Sequence, residues 1–187
     1  ENQTTIGTVV AEDADGDSIS FSVTGSNINI NTQSGVLTFT TAPDYESKSS
    51  YSAIVTATDG TFVWTQTITI NVVNLNDNPP IFTSSQTYSV DENQLAIATA
   101  TAVDADGDSL IFSSSSENIA VAANGVMTFL VAPDFETKST YSETINVTDG
   151  VFSDTQVISI EIQDVAESGA LAGTFNDLFF SEYIEGP

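Results

Sequence analysis

Residues 74–80 read Asn74-Leu75-Asn76-Asp77-Asn78-Pro79-Pro80, and this stretch separates two copies of one sequence unit. Asn and Asp favour turns, and each proline fixes its own backbone and restricts the residue before it. Because a regular strand is not expected to continue through such a stretch, we predict a linker here with one domain on each side.

The two copies share four acidic motifs in the same order, with a nearly constant offset of about 90 residues between residues 1–77 and 92–167. The matched pairs are Glu1-Asn2-Gln3 with Glu92-Asn93-Gln94, Asp13-Ala14-Asp15-Gly16-Asp17 with Asp104-Ala105-Asp106-Gly107-Asp108, Asp44-Tyr45-Glu46 with Asp134-Phe135-Glu136, and Thr58-Asp59-Gly60 with Thr148-Asp149-Gly150. Core strands tolerate exchanges among apolar residues, so identity concentrated in polar loops indicates that the loops themselves have a function.

Between the loops, apolar and polar residues alternate with the two-residue period of half-buried strands, for example over residues 51–58 and 67–72. Short strands at this spacing predict an all-β sandwich in each copy. In the second copy the same register places Glu143 where Ala53 lies in the first. An inward carboxylate conflicts with burial unless it lies near the open end of the sandwich.

The first copy is predicted to lack one strand. Residues 81–90 read as a strand preceding the second copy, whereas the first copy begins at the matching Glu1 with nothing before it. We therefore expect hydrogen-bonding groups of a neighbouring strand to be exposed in the first unit. A start at Glu1, without Met or a signal-like segment, also suggests a piece of a longer protein.

The composition disfavours several classes of function. The chain of 187 residues has 26 acidic residues and a net charge of −24, and its cations are Lys48 and Lys138, so nucleic acid and anionic membranes are poor partners. It contains no Cys and no His, which removes thiol nucleophiles, disulfides and Ser-His dyads. No apolar run approaches the roughly 18 residues that span a bilayer. We expect neither an enzyme nor direct membrane insertion.

Five features together resemble the motifs of the cadherin repeat, specifically its shorter bacterial cadherin-like form. They are the initial Glu-Asn, the Asp-Ala-Asp loop, the Asp-(Tyr/Phe)-Glu loop, the Thr-Asp-Gly turn and Asn76-Asp77-Asn78. The resemblance covers residues 1–167. It implies two tandem, seven-stranded Greek-key sandwiches of the immunoglobulin-like type, with repeats at 1–77 and 78–167. It also implies Ca²⁺ at their junction, since Ca²⁺ takes roughly six to eight oxygen ligands from carboxylates, amides and carbonyls.

By this resemblance, residues of both units and the linker would bind the junction calcium. The implied ligands are Glu1, Asp44 and Glu46 from the first unit, Asn74, Leu75, Asn76, Asp77 and Asn78 from the linker, and Asp104, Asp106 and Asp149 from the second, with Leu75 and Asn78 offering main-chain carbonyls and Asp108 as an extra candidate. Outer half-sites would comprise Asp13, Asp15, Asp17 and Asp59 at one end, and Glu92, Asp134, Glu136, Asp164 and Glu167 at the other.

Two departures from the family pattern limit the expected sites. Asn74 stands where cadherins usually have Asp, which removes a charge but keeps an oxygen ligand. Asp164-Val165-Ala166-Glu167 lacks the Asn-Asp-Asn motif, so the site after the second unit is expected to be partial or empty. A single Asp-x-Asp-Gly-Asp sequence is often only a polar turn.

The function implied is that of a calcium-binding spacer or adhesion element in a larger secreted or surface protein of a bacterium. Its expected location is extracellular, and its expected partners are neighbouring domains, with a cell-surface protein or polysaccharide as further candidates. The alternative is a carbohydrate-binding accessory module of a secreted polysaccharide-degrading or nuclease enzyme. An exposed aromatic pair would favour this alternative, although Phe62, Trp64 and Phe152 are expected in core or edge packing.

A glycosidase built on paired carboxylates is disfavoured, because acids repeated in the loops of small sandwiches leave no room for a substrate cleft. Residues 168–187 break the repeat. Within them, residues 178–186 predict a strand and resemble the opening of bacterial lamin-tail-like domains, so we expect a linker followed by the start of a further domain.

Overall fold

The computed structural model describes residues 1–166, which contain β-strands and no helix. The strands before the linker are β1 (Thr5–Thr8), β2 (Ser20–Thr24), β3 (Ile28–Ile30), β4 (Val36–Phe39), β5 (Ser50–Thr58) and β6 (Val63–Asn71). Those after it are β7 (Ile81–Phe82), β8 (Thr87–Asp91), β9 (Ala96–Thr99), β10 (Ala102–Val103), β11 (Ile111–Ser114), β12 (Ile119–Val121), β13 (Val126–Phe129), β14 (Thr140–Thr148) and β15 (Ser153–Gln163).

Both halves of the described chain use the same sheet arrangement. In the first half, one sheet has the order β1-β4-β3 and the other β2-β5-β6. In the second half these become β9-β13-β12 and β11-β14-β15-β8, with a small ribbon of β7 and β10 added. All pairs are antiparallel except β8 with β15, which run parallel. The predicted all-β class is confirmed. Six strands precede the linker and nine follow it, whereas the resemblance implied seven in the second unit and the sequence predicted one fewer in the first.

Each half has its own apolar core, formed by the inward residues of the alternating strands. The first core contains Ile28, Leu37 and Phe39 together with Ala53 and Val55 of β5. The second core is larger and more completely buried, with Ile119, Met127, Ile145, Ile158 and Ile160 each at most 2% exposed. The alternation read from the sequence therefore corresponds to real inward and outward faces.

The more complete burial of the second core follows from one additional strand, β8, at the edge of the sheet that contains β15. In the second half, β8 pairs with β15 along Ser159↔Thr87 to Gln163↔Asp91. Among residues 1–166, no strand pairs with the corresponding edge of β6. As a consequence Ile68 on β6 is only half-buried, whereas the matching Ile158 is 0% exposed.

The inward Glu143 is accommodated by a hydrogen bond. Its side chain is 8% exposed, and Asn118 Nδ2 donates a 2.8 Å bond to Glu143 Oε1. A buried carboxylate requires such a donor, since desolvation is otherwise uncompensated. The conflict seen in the sequence is thus resolved by a residue 25 positions away.

Phe62 and Trp64 do not pack in the core. Their side chains are 75% and 76% exposed, beside the open edge of β6, whereas Phe152 is 37% exposed. The expectation of core or edge packing was wrong for these two residues, because no strand within residues 1–166 covers this edge of β6. The described residues also contain no helix long and apolar enough to cross a membrane.

Candidate metal centre

Glu1 fastens the linker to a loop of the first unit. Its carboxylate accepts the Leu75 N–H at 2.8 Å through Oε1 and the Tyr45 N–H at 2.5 Å through Oε2, and the residue is only 9% exposed. The linker and the Asp44-Tyr45-Glu46 loop are therefore held together by a single side chain.

The second unit repeats this arrangement around Glu92, which is 2% exposed. Glu92 Oε1 accepts the Val165 N–H at 2.8 Å, and Oε2 accepts the Phe135 N–H at 2.9 Å. Sequence reasoning assigned these two glutamates as ligands and missed this structural role. The sequence feature that could have indicated this role is the presence of both the Glu-Asn motif and the Asp-(Tyr/Phe)-Glu motif in each copy.

Asp44 organises its own loop at the first unit's end. Its Oδ1 accepts the Glu46 N–H at 3.0 Å, and its Oδ2 accepts the Ser47 hydroxyl at 2.7 Å. The hydrogen bonds from Ser47, followed by those involving Glu46, lower the pKa of the Asp44 carboxyl despite some desolvation. Asp44 therefore remains charged near neutral pH and holds the backbone of its own loop.

Asp106 binds the linker from the other side. Its Oδ2 accepts the N–H groups of Asp77 at 3.0 Å and Asn78 at 2.9 Å, while its Oδ1 accepts Asn78 Nδ2 at 2.9 Å. Asn74 Nδ2 also donates to the Asp106 carbonyl oxygen at 2.8 Å. The linker is thus bonded to the Asp-Ala-Asp loop of the second unit before any cation is considered.

Asp77 connects the linker back to the first unit. The Asn2 side-chain amide donates a short hydrogen bond to Asp77 Oδ2, and Asn78 Nδ2 donates to Asp77 Oδ1 at 2.7 Å. The left-handed φ of +63° at Asn2 is tolerated by Asn better than by most residues. The linker therefore contacts acidic loops of both units.

Three overlapping groups of acids extend across the linker. They are Glu1 with Asp44 and Glu46, Glu46 with Asp77 and Asp106, and Asp104 with Asp106 and Asp108, and within each group one carboxylate oxygen per residue lies within 4.8 Å of the others. Oxygen ligands lie about 2.3–2.6 Å from Ca²⁺, so two ligands of one ion can be up to about 5 Å apart. Because Glu46 and Asp106 are shared, the three groups form a continuous acidic chain, which we call the junction cluster.

Three buried oxygens at this junction have no hydrogen-bond partner among residues 1–166. They are Asn76 Oδ1, Asp104 Oδ2 and Asp149 Oδ2, and all three residues were predicted ligands. Buried acceptors are normally paired with donors, so unpaired ones require an explanation. A bound cation would supply the missing positive partner, which makes the donor set at this junction fit Ca²⁺.

The electrostatics of the cluster separate Glu46 from the aspartates. Desolvation, the hydrogen bond with Asp44 and the charges of Glu1 and Asp106 raise the pKa of Glu46 to about 7. Desolvation would also raise the pKa of Asp106, but hydrogen bonds from Asn78 and Asp77 outweigh it and lower that pKa. The protonation of Glu46 therefore changes near neutral pH.

Asp149 shows the same balance as Asp106. Desolvation raises its pKa, but the N–H groups of Phe152 and Val151 and the side chain of Asn76 lower it overall. Asp149 does not belong to the three groups of the junction cluster, yet its contact with Asn76 places it beside the linker. The main-chain carbonyls of Leu75 and Asn78 stay predicted ligands.

The two predicted outer sites differ. Glu92, Glu136 and Asp164 each have a carboxylate oxygen within 4.8 Å of the other two. The Glu136 backbone N–H lowers the pKa of the Glu136 carboxyl, but desolvation and the charges of Glu92 and Asp164 raise that pKa overall. Asp134 lies outside this group and binds Thr137, and Glu167 falls outside the described residues.

At the other end, Asp13, Asp15, Asp17 and Asp59 form no such group within residues 1–166. Asp13 Oδ1 instead accepts the N–H groups of Asp15 at 2.9 Å and Asp17 at 3.0 Å. Asp59 Oδ1 accepts those of Thr61 and Phe62 at 2.6 Å each, which lowers its pKa. In the structure the carboxylates of Asp13 and Asp59 stabilise their own turns. The role of all four aspartates as a half-site stays a prediction.

Calcium binding at the junction is expected to weaken as the pH falls through 7. Glu46 has its pKa raised from the ordinary 4.5 to about 7, so below pH 7 a proton competes with the cation for this carboxylate. The stability of the metal-free protein should instead rise as the pH falls through 7. Between pH 4.5 and 7 the folded state holds a proton on Glu46 that the unfolded state does not hold. Calorimetric calcium titrations at pH 7.5 and 5.5 check this. In the variant Glu46→Gln the pH dependence should largely disappear.

Comparison with known proteins gives a consistent result. Residues 76–161 match the family described as "Bacterial Ig domain". The chain is 34% identical to mouse Protocadherin Fat 4 over 130 residues, which are 62% of this chain and 3% of that protein. It is 29% identical to human Cadherin-23 over 179 residues, which are 84% of this chain and 5% of that protein.

Solved structures agree with the sequence matches. Human Protocadherin-24 EC1-2 superimposes with a TM-score of 0.74 at 19% identity, covering 89% of this chain and 91% of that chain. Mouse Cadherin-23 EC22-24 gives a TM-score of 0.74 at 23% identity, covering 88% of this chain and 62% of that chain. The chain has the fold of cadherin ectodomain repeats. The cadherin-like resemblance seen in the motifs is thus supported by sequence and by fold.

The chain spans only 3% to 5% of the length of these two relatives. Phe62 and Trp64 are exposed, which is the feature said to favour the carbohydrate-binding alternative. The names of these relatives give no support to that alternative or to a polysaccharide partner. The bacterial origin stays a prediction, and the lamin-tail-like segment lies outside the described residues.

Proposed function

We propose that this cadherin-like chain is a calcium-stiffened spacer or adhesion element, with one repeat at 1–77, a second at 78–167 and Ca²⁺ bound between them. The observation that carries the proposal is the junction cluster together with the buried, unpaired oxygens of Asn76, Asp104 and Asp149. Carboxylates this close repel each other, and a divalent cation both removes the repulsion and supplies the missing partner.

The shared acids and the linker contribute to the proposed site in distinct ways. Glu46 and Asp106 bridge neighbouring acid groups, so each would be shared between adjacent ions or between one ion and its surroundings. The linker is fixed against both units through Glu1 and Asp106. Cation binding at the cluster would therefore restrict rotation of one unit relative to the other.

The surroundings proposed for the chain follow from its relatives. Similar solved structures include the ectodomain of human Desmocollin-1 and extracellular cadherin domains of Protocadherin Gamma B2. We therefore place the chain outside the cell, within a larger secreted or surface protein, with neighbouring domains and a cell-surface protein as partners. Because the matched relatives are cadherins and protocadherins, a structural role rather than catalysis is proposed.

Calcium titration of the chain followed by calorimetry tests the proposed site. Extracellular calcium modules bind with a Kd of about 10⁻⁴–10⁻³ M, and we expect saturable binding in this range at pH 7.5. Mg²⁺ should bind more weakly, because it requires a small octahedral shell and gives up its waters reluctantly. Equal binding of the two ions, or no saturable heat with Ca²⁺, would count against the proposal.

A further inference from the structure

The two basic side chains of the chain occupy the same place in both units. They are Lys48 and Lys138, and each follows the glutamate of an Asp-(Tyr/Phe)-Glu loop by two positions. Lysines that served only to balance the 26 acidic residues would have no reason to recur at one position of the repeat. Their placement indicates a role that belongs to these loops.

Neither lysine neutralises a carboxylate. Within residues 1–166, neither forms an ion pair, although Glu46 is only two residues from Lys48. Each ammonium lies instead over a tyrosine ring, with Lys48 Nζ 4.4 Å from the centroid of Tyr51 and Lys138 Nζ 4.1 Å from that of Tyr141. The negative face of an aromatic ring attracts a cation in this position. The same geometry in both units makes it a repeated feature of the fold.

The two tyrosine rings rest on the apolar cores. Tyr51 meets Phe39 edge to face with 4.9 Å between centroids, and Tyr141 lies tilted against Phe129 with 5.0 Å between centroids. Phe39 and Phe129 are 7% and 3% exposed and belong to the first and second core. Each lysine is therefore connected to the core of its own unit through a single ring.

The backbone of each lysine closes the acidic turn. The Lys48 N–H donates to the Asp44 carbonyl at 2.9 Å, and the Lys138 N–H donates to the Asp134 carbonyl at 2.9 Å. The hydrogen bonds of the Asp44 carboxylate hold the first of these turns together internally. The lysine side chain adds an attachment of the turn to the core.

We propose that Lys48 is a positioning residue for the junction cluster, and that it holds the turn of Asp44 and Glu46 in place through the Tyr51 ring. Lys138 has the same role in the second unit. The inference rests on the proposed calcium site and adds that the position of two of its acids is set before metal binds. A lysine paired with Glu46 would compete with Ca²⁺ for that carboxylate, and the seat on the ring avoids this competition.

Hydrogen exchange of the full chain in excess chelator tests the positioning apart from any metal. The reporters are the amides of Glu46, Ser47 and Lys48, which all donate to Asp44. Lys48→Ala should speed their exchange roughly two- to fivefold, as expected for loss of an exposed cation–π contact. Lys48→Arg should restore slow exchange, because a guanidinium also stacks on aromatic rings. Lys48 is exposed, so these variants are expected to fold.

Lys138→Ala is the matched control for the exchange measurement. It should leave the amides of Glu46 and Ser47 unchanged and speed exchange at Thr137 and Lys138 or its replacement, whose N–H groups donate to Asp134. Equal exchange at the Glu46 and Ser47 amides in the wild type and in Lys48→Ala would overturn the proposal.

Calcium calorimetry separates positioning from a simple effect of charge. If Lys48 acted only by repelling the cation, Lys48→Ala would bind Ca²⁺ more tightly, and that result would overturn the proposal. Positioning predicts binding that is roughly two- to fivefold weaker in Lys48→Ala and also in Tyr51→Leu, which keeps the charge. The double variant should be no weaker than the weaker single variant, because the two groups act as one unit.

Failure of the calcium site itself would be recognised separately. Absence of saturable calcium heat in the wild type would overturn the proposed function. The exchange measurements in chelator would still decide whether Lys48 holds the acidic turn on the Tyr51 ring, since they contain no metal.

Discussion

Replacing Asp106 by alanine should remove most calcium binding at the junction and release the linker from the second unit. The Asp106 carboxylate accepts three hydrogen bonds from Asp77 and Asn78 and belongs to two of the three acid groups of the junction cluster. Since affinity in such sites depends on the number of charged ligands, we expect a loss of roughly tenfold or more. Calcium calorimetry measures the affinity, and hydrogen exchange at the Asp77 and Asn78 amides measures the release.

Asp15→Ala is the matched control for Asp106. Asp15 occupies the same position in the first copy of the motif, but it is exposed and belongs to none of the acid groups found in residues 1–166. Its removal should leave junction affinity nearly unchanged. A comparable loss in both variants would show that general acidity, rather than the junction cluster, binds the cation.

Replacing Glu92 by alanine should strongly destabilise the second unit even without calcium. The Glu92 side chain is 2% exposed and accepts the N–H groups of Phe135 and Val165. Leaving two such donors unpaired costs about 2 to 5 kcal/mol in total. Denaturant unfolding in the presence of a chelator measures this free energy apart from any contribution of bound metal.

Two variants test the mechanism behind this loss. Glu92→Gln retains one carbonyl acceptor and should lose less stability than Glu92→Ala. Glu161→Ala, at an exposed position of β15, should change the unfolding free energy by less than about 0.5 kcal/mol. If Glu92→Ala proved as mild as Glu161→Ala in chelator, the glutamate would serve only as a ligand.

The fold and the main loops could be predicted because the chain contains two copies of one unit, which can be compared with each other. Repetition of the Asp-Ala-Asp and Asp-(Tyr/Phe)-Glu motifs separates polar loops that recur in both copies from strand residues that differ between them. The alternation over β5 and β14 then follows from the burial of one face. The overlapping acid groups around Glu46 and Asp106 agree with the ligand set drawn from the resemblance, which itself stays a prediction.

Other features depend on contacts between residues far apart in the sequence. Glu1 and Leu75 are 74 residues apart, and Glu143 and Asn118 are 25 apart, so neither hydrogen bond is visible in local patterns. The exposure of Phe62 and Trp64 depends on whether a strand covers the outer edge of β6, and none within residues 1–166 does, so it cannot be read from their own sequence context. The raised pKa of Glu46 likewise requires the assembled cluster.

Small-angle scattering of the chain with calcium and with excess chelator tests the central claim most directly. If cations at the junction cluster restrict the two units, calcium should give the profile of an extended, rigid particle. Chelation should broaden the distribution of interatomic distances while circular dichroism keeps the β signal of both units. Superimposable scattering profiles under the two conditions, at calcium concentrations that saturate the calorimetric titration, would contradict the calcium-stiffened linker.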